Sequence, residues 1–237
     1  GLHMDVDCLA FTGSTATGKR FMAYSSQSNL KRVWLECGGK SPHIVFDDCP
    51  DLAKAAQAAA VGIFSNQGEV CIAGSRLYVQ NGIYDTFMEK VAQFAQGMQP
   101  GDPLDPSTTM GAIVDEAQMR NVLGYIESGL IEGATLRTGG GQTRLATGGF
   151  YVEPTIFDCP RQTMRIVNEE IFGPVLTAQR FDTEDEAVAL ANDSIYGLGA
   201  GLWTAQLGRA HRVARRLRAG LVWVNCYFDG DISVPFG

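Results

Sequence analysis

Histidine is scarce in this chain. Only His3, His43 and His211 occur among 237 residues, and none stands at the short spacing of a metal-binding pair or beside an obvious partner acid. Hydrolases commonly draw their general base from histidine, so any catalysis here has to rest on cysteine and carboxylates. The six cysteines, at positions 8, 37, 49, 71, 159 and 226, include no Cys-x-x-Cys pair, which argues against a zinc knuckle or a dense disulfide framework and leaves free thiols. Positive charge is in deficit, with 19 Lys plus Arg against 26 Asp plus Glu and a formal charge of −7, so no surface for neutralising nucleic-acid phosphates is expected. Long hydrophobic runs are missing too. The longest nearly uninterrupted one, Ala58 to Phe64, falls well short of the ~18 residues of a membrane helix, and the first ten residues lack the basic start of a secretory signal. These absences predict a soluble, cytoplasmic protein with no metal site and neither nucleic acid nor membrane as a partner.

What is present is a core. At 45% hydrophobic and 19% charged, the chain suffices for one large domain or one and a half. Strand-like runs at Cys8–Thr12, Arg32–Cys37, His43–Phe46, Arg76–Gln80, Tyr151–Phe157, Val175–Phe181, Gly199–Trp203 and Leu221–Asn225 alternate with helical ones. The helices are read from Gly18 to about Tyr24, over Ala53–Phe64, Tyr84–Gln96, Asp115–Ile131, Glu184–Ala191 and Gln206–Leu217. This order predicts an α/β fold of three layers, a mainly parallel sheet with flanking helices. The three prolines and Gly101 between Met98 and Met110 predict a surface connection, and Gly139–Gly149 a flexible excursion. The arginines of the last helix, Arg209, Arg212, Arg215 and Arg216, followed by Arg218, are read as a solvated face that pairs with acids. Barely a handful of residues precede the first strand and the chain stops at the apolar Val234-Pro235-Phe236-Gly237, where complete domains usually end in solvated segments, so a piece of a longer polypeptide is expected.

Four segments carry chemistry. Gly13-Ser14-Thr15-Ala16-Thr17-Gly18-Lys19 follows a strand and opens a helix, the setting in which backbone N–H groups hold phosphate. Its spacing matches a P-loop, and Ile44–Asp47 mimics the second nucleotide-triphosphatase motif, but Arg20 stands where a P-loop needs a hydroxyl for Mg²⁺. A plain helix cap explains the same residues. Glu36 ends a strand between Leu35 and Cys37 and precedes Gly38-Gly39, an odd place for a solvated charge and a good one for a general base. Cys71 lies in a small-residue turn, Val70 to Ser75, where its sulfur either faces a cleft or is an inert thiol. Glu169-Glu170-Ile171-Phe172-Gly173-Pro174 places acids and an aromatic before a strand.

Together these segments resemble the aldehyde dehydrogenase superfamily. The turn Phe11–Thr15, the Glu36 box, Gln67-Gly68-x-x-Cys71, Glu169–Val175, Asn192-Asp193 with Tyr196-Gly197-Leu198, and Asn225-Cys226-Tyr227 with Pro235-Phe236-Gly237 occur in that family's order over the whole chain. Departures are Ala16-Thr17, Cys37 and Glu69, where the family more often has an acid with valine, leucine and glutamine. The resemblance implies Cys71 as nucleophile and Glu36 as general base. It implies Gly13, Ser14, Cys37, Gly38, Glu170 and Phe172 around NAD or NADP, with Ser14 at the pyrophosphate, Glu170 on the nicotinamide ribose and Phe172 near the nicotinamide. Phe236 would be an aromatic wall of the aldehyde channel and Asp229 would border its mouth. The implied reaction takes a small aldehyde to its acid through a cysteine thiohemiacetal and thioester, which requires a site that favours the thiolate. The Glu36, Cys71 and Phe236 boxes look most like the branch acting on aminoaldehydes of polyamine breakdown, such as 4-aminobutanal or its γ-glutamyl conjugate.

Family members run about twice this length. The resemblance therefore implies that residues 1–37 are the end of a dinucleotide-binding domain and 38–237 most of the catalytic domain, truncated before the oligomerisation arm of a homodimer or homotetramer. An upstream oxyanion asparagine would be missing, so the chain alone is expected to be inactive. A P-loop-like nucleotide triphosphatase and a noncatalytic α/β binding module are the competing readings.

Overall fold

The computed structural model describes residues 1–231, 233, 234 and 236. In chain order the elements are β1 (Cys8–Thr12), α1 (Thr15–Ser26), β2 (Arg32–Glu36), β3 (Pro42–Val45), α2 (Leu52–Phe64), β4 (Arg76–Gln80), α3 (Tyr84–Gly97) and α4 (Glu116–Ile131). There follow β5 (Thr135–Thr138), β6 (Gln142–Thr143), β7 (Tyr151–Val152), β8 (Thr155–Asp158), α5 (Arg165–Asn168), β9 (Val175–Phe181), α6 (Glu184–Asn192), β10 (Gly199–Trp203), α7 (Leu207–Arg216) and β11 (Leu221–Val224). Seven strands form one sheet in the order β11-β10-β3-β4-β9-β8-β5, parallel except for the β5–β8 pair. Strands β1 and β2 pair in parallel as a separate ribbon. This is the mainly parallel, three-layer α/β architecture expected from the alternation of strand and helix patterns.

Alternation along the central strands builds the layers, because successive side chains point to opposite faces. Val45, Leu77, Val79, Leu176, Ala178 and Trp203 share one core with α2 and α3. Ile44, Tyr78, Phe181, Ala200 and Leu202 face the other way, into a core completed by α6 and α7. A third cluster lies under α4, with Met119, Val122 and Ile126 against Phe157, Ile166 and Val175. Three of the four arginines of α7 pair with acids: Arg209 with Asp48 at 2.9 Å, Arg212 with Glu184 at 2.8 Å and Arg216 with Asp185 at 2.7 Å. Among the described residues no helix is long and apolar enough to cross a membrane.

Two local expectations need correction. The run Tyr151–Phe157 is not one strand, because Pro154 fixes its own φ and brings no N–H to a ladder. Before it, β7 pairs with β6, while beyond it β8 joins the large sheet. The Gly-rich stretch contributes β6 and a short helical turn at Leu145–Thr147, with Gly139, Gly140 and Gly148 at positive φ. Strand β5, whose residues are mostly exposed, carries too little apolar pattern to stand out in the sequence.

Arg76 ties the sheet to α6. It is 2% exposed, and its guanidinium donates to the carbonyls of Lys40 (2.7 Å), Leu190 (3.2 Å) and Ala191 (2.8 Å) and to the Tyr78 hydroxyl (3.1 Å). Leu190 and Ala191 belong to the last turn of α6, whose carbonyls have no partners within the helix, so a buried cation satisfies them and meets the negative end of the helix dipole. Arg76→Met keeps the bulk and strands those carbonyls. It is expected to cost about 3 kcal/mol, read as a lower urea midpoint with unchanged slope.

Candidate active site

The loops that precede β3, β4 and β9 converge on the carboxyl ends of β1 and β2. Thr12, Gly13 and Ser14 end β1 and start α1, and Glu36 closes β2. Gly38-Gly39-Lys40 lead into β3, Cys71 leads into β4 and Glu170-Ile171-Phe172 lead into β9. A cavity of about 320 Å³ is lined by Thr12, Gly13, Ser14, Glu36, Cys37, Gly38, Cys71, Gln118, Asn121, Glu170, Ile171 and Phe172. Eight residues predicted for catalysis or cofactor binding therefore come together there.

Backbone contacts hold these loops in place. A Cβ on Gly39 would overlap the carbonyl oxygen of Cys71, and one on Gly68, whose φ is +73°, would overlap the Gly173 carbonyl. Glycine is what allows the Glu36, Cys71 and Glu170 segments to touch backbone to backbone. Asn66 (φ 49°), Gln67 (φ 56°) and Gly68 run left-handed into the Cys71 turn, which closes through Ala73 N–H to Val70 carbonyl at 3.0 Å. Two side chains pin this strained stretch from outside. Gln67 Oε1 accepts from Gly111 N–H at 2.9 Å and Glu69 Oε1 from Val114 N–H at 3.1 Å.

The two adjacent acids divide their tasks. Glu169 points away, to the Tyr125 hydroxyl at 2.8 Å and Arg165 at 2.9 Å, and although burial pulls its pKa upward these partners hold it below the usual carboxylate range. Glu170 points in, and Gly39 N–H donates to its Oε1 at 3.0 Å. Burial pushes the Glu170 carboxyl up, while that N–H and the Lys40 charge pull it down. Burial also pushes the Cys71 thiol up. The N–H groups of Ile72 and of Cys71 itself oppose this, and the charges of Glu36 and Glu170 reinforce it. The requirement for a thiolate is thus not met by a depressed pKa in this chain.

Ser14 caps α1, accepting from Thr17 N–H at 3.3 Å, and Gly18 lets α1 approach β2, since a Cβ there would stand 3.0 Å from Cys37 Sγ. The P-loop-like spacing is accounted for by this cap and close packing. Phe236 lines a second hollow of about 450 Å³ that shares Glu36, Cys37 and Gly38 with the cavity. Asp229 is exposed, lines neither hollow, and offers its backbone carbonyl to Trp223 Nε1. Gln118 and Asn121 were not foreseen. Gln118 donates to the Ile171 (3.0 Å) and Phe172 (2.7 Å) carbonyls and so holds Phe172 at φ 54°. A larger hollow of about 520 Å³ beside Asp158 offers only Cys159 as a nucleophile, its thiol pushed up to about 12 by burial.

The aldehyde dehydrogenase family profile matches residues 2–237. The chain belongs to the aldehyde dehydrogenase family. It is 53% identical over 235 residues to the NADP/NAD-dependent aldehyde dehydrogenase PuuC of Escherichia coli (strain K12), which covers 99% of this chain and 47% of that protein. Among solved structures, the γ-glutamyl-γ-aminobutyraldehyde dehydrogenase of Burkholderia cenocepacia J2315 is 60% identical with a TM-score of 0.98, covering all of this chain and 48% of its own. An indole-3-acetaldehyde dehydrogenase in complex with NAD⁺ is 57% identical, with the same TM-score and coverage. The chain spans about half the length of the relatives it matches. Family membership displaces the nucleotide-triphosphatase reading.

Lys40 follows the Gly39 contact and is 2% exposed, with no hydrogen-bond partner for its Nζ among the described residues. Burial and the nearby Arg76 lower its pKa to about 7, against the pull of Glu170. A lysine whose folded pKa lies below its unfolded value costs stability in full below about pH 7, and the cost is relieved as pH rises toward 10. Lys40→Met should therefore exceed wild type in stability at pH 7, and the gap should close by pH 10 in urea titrations across that range.

Proposed function

We propose that this chain carries the nucleophile and general base of an NAD(P)-dependent aldehyde dehydrogenase, with Cys71 as nucleophile and Glu36 as base. The observation that carries the reading is one cavity that joins Cys71, Glu36 and the Glu170 carboxylate held on Gly39 N–H. The residues present fit the nicotinamide-ribose end of the cofactor: Glu170 offers a carboxylate to ribose hydroxyls, Gly38 leaves that face without a side chain, and Ser14 stands at the positive end of α1. Bound there, the cofactor supplies a hydride acceptor. Gly13, Cys37 and Phe172 complete its wall. Residues 1–37 accordingly form part of the cofactor-binding unit, and 38–237 the catalytic one.

Cys71 Sγ, once deprotonated, attacks the carbonyl carbon and forms a C–S bond as the carbonyl pair moves to oxygen. Loss of hydride from that carbon leaves a thioester on Cys71. Glu36 takes a proton from water, the resulting hydroxide adds to the thioester, and the C–S bond breaks to return the thiolate and release the acid. Phe236, beside the shared Glu36 wall, fits an aromatic side of the aldehyde channel.

An aminoaldehyde such as arises in polyamine breakdown, or its γ-glutamyl conjugate, is the substrate class we favour, supported by the 60% identical Burkholderia cenocepacia enzyme named for that conjugate. Turnover is testable in a chimaera that completes this chain with the remainder of the Escherichia coli relative. Glu36→Gln should keep a stoichiometric burst of reduced cofactor and slow steady-state turnover by about 10²–10⁴-fold. Loss of the burst would place Glu36 before hydride transfer, and a burst surviving Cys71→Ala would remove Cys71 as nucleophile. Because Asp229 lines neither hollow, Asp229→Asn in the same chimaera should leave KM for 4-aminobutanal and for propanal nearly unchanged. A rise of about fivefold for 4-aminobutanal alone, the ~1 kcal/mol of one screened charge contact, would instead place Asp229 at the channel mouth.

A further inference from the structure

We propose that Tyr227 is a positioning residue for the nucleophile: by holding the Ile72 carbonyl, its hydroxyl fixes the backbone beside Cys71 and with it the turn that presents the Cys71 sulfur to the cavity. This rests on the assignment of Cys71 above. Tyr227 Oη donates to the Ile72 carbonyl at 2.8 Å, across 155 residues of chain. The turn is then gripped beside Cys71 from both ends, by the tyrosine at the Ile72 carbonyl and by Ala73 N–H at the Val70 carbonyl (3.0 Å). With planar peptides on either side, holding those two carbonyls restricts the dihedrals of Cys71 and Ile72 and with them the direction of the bond that carries the sulfur.

The ring itself sits in a socket built for it. Three glycines from three elements leave the space: a Cβ would stand 2.7 Å from the Tyr227 ring at Gly201 in β10, 3.1 Å at Gly62 in α2 and 3.2 Å at Gly74 in the nucleophile turn. Stacked on Tyr227 is His43, with ring centroids 4.8 Å apart and planes within 8°, and Trp223 lies 4.8 Å away at 41°. His43 in turn accepts from Trp203 Nε1 at 2.8 Å, which fixes that imidazole. The loop that delivers the tyrosine is held under strain. Asn225 (φ 56°) and Phe228 (φ 62°) are both left-handed, and Asn225 grips the Thr204 backbone through Thr204 N–H to Oδ1 (3.0 Å) and Nδ2 to the Thr204 carbonyl (3.1 Å). Gly74 N–H donates to the Gly62 carbonyl at 2.9 Å, so the turn is tied to α2 from the same side. Packing alone accounts for an aromatic residue in this socket. The hydroxyl is aimed at a carbonyl one residue beyond the nucleophile.

Tyr227→Phe keeps the ring and removes only that bond. In the 237-residue chain, iodoacetamide labelling followed by mass spectrometry from pH 6 to 10 reports Cys71, with exposed Cys8 as reference and buried Cys159 as a monitor of unfolding. The expected result is a Cys71 rate at pH 7.5 lower by about fivefold relative to Cys8, with a midpoint shifted upward and Cys159 still protected. Gly201→Ala, which displaces the ring, should lower the Cys71-to-Cys8 ratio in the same way. An unchanged Cys71 profile in Tyr227→Phe overturns the positioning role and leaves the nucleophile assignment standing, because that assignment fails only if the Cys71→Ala chimaera keeps its burst. Faster labelling of both Cys71 and Cys159 would mean that the hydroxyl merely stabilises the fold, and it too overturns the proposal.

Discussion

The site depends on one place where two backbones meet with no room between them. The Cys71 carbonyl lies against Gly39 so closely that any Cβ at that position would overlap it. This contact joins the segment entering β3 to the segment entering β4, and it turns the Gly39 N–H toward the Glu170 carboxylate. Gly68 against Gly173 repeats the device between the segments entering β4 and β9. Three loops from distant parts of the chain are thereby locked in register. The lock costs conformational entropy at each glycine, which the pinned side chains of Gln67 and Glu69 and the sheet behind them offset.

Position within the sheet follows from the same lock. Open parallel sheets usually bind ligands beyond the carboxyl ends of their strands. Here the large sheet presents the amino ends of β3, β4 and β9, while the separate ribbon of β1 and β2 presents its carboxyl ends, and the cavity lies where the two meet. The ribbon therefore obeys the usual rule and supplies Ser14 at a helix N-terminus. The large sheet contributes loops whose tight turns are too constrained to be anything but rigid. Such an arrangement fits the nucleophile role proposed for Cys71, because the stiff side is the one that carries its sulfur.

Much of this was legible in the sequence because its signals are local. Buried strands such as Val175–Phe181, the glycine pair after Glu36 and the small-residue turn at Cys71 each speak for themselves within a few residues. What was not legible is what arises between segments. Pro154 marks a break between β7 and β8, but only pairing with β6 shows where each half goes. Gln118 looks like any polar residue in the first turn of a helix, and its two bonds to Ile171 and Phe172 exist only after folding. Asp229 and Phe236 lie near each other in sequence, yet only the latter borders a hollow that shares Glu36. Tyr227 carries no sign of its socket, because the three glycines that make room for it come from α2, the nucleophile turn and β10.

The direction of the Cys71 shift bears on how such a site works. Half-burial and two carboxylates push the thiol up, and the N–H groups of Ile72 and Cys71 return only part of that. A cysteine poised as a permanent thiolate would be exposed to oxidants and to any electrophile that entered the cavity. One held mainly as a thiol is protected until its proton leaves. The higher pKa also brings a gain, because thiolate nucleophilicity rises with basicity along a Brønsted slope of about 0.4–0.5. In the role proposed for Cys71, reactivity comes from orientation, with the turn gripped on both sides of the cysteine, rather than from a standing negative charge. Acids as close as Glu36 and Glu170 are then compatible with a cysteine nucleophile, since neither has to coexist for long with a free thiolate.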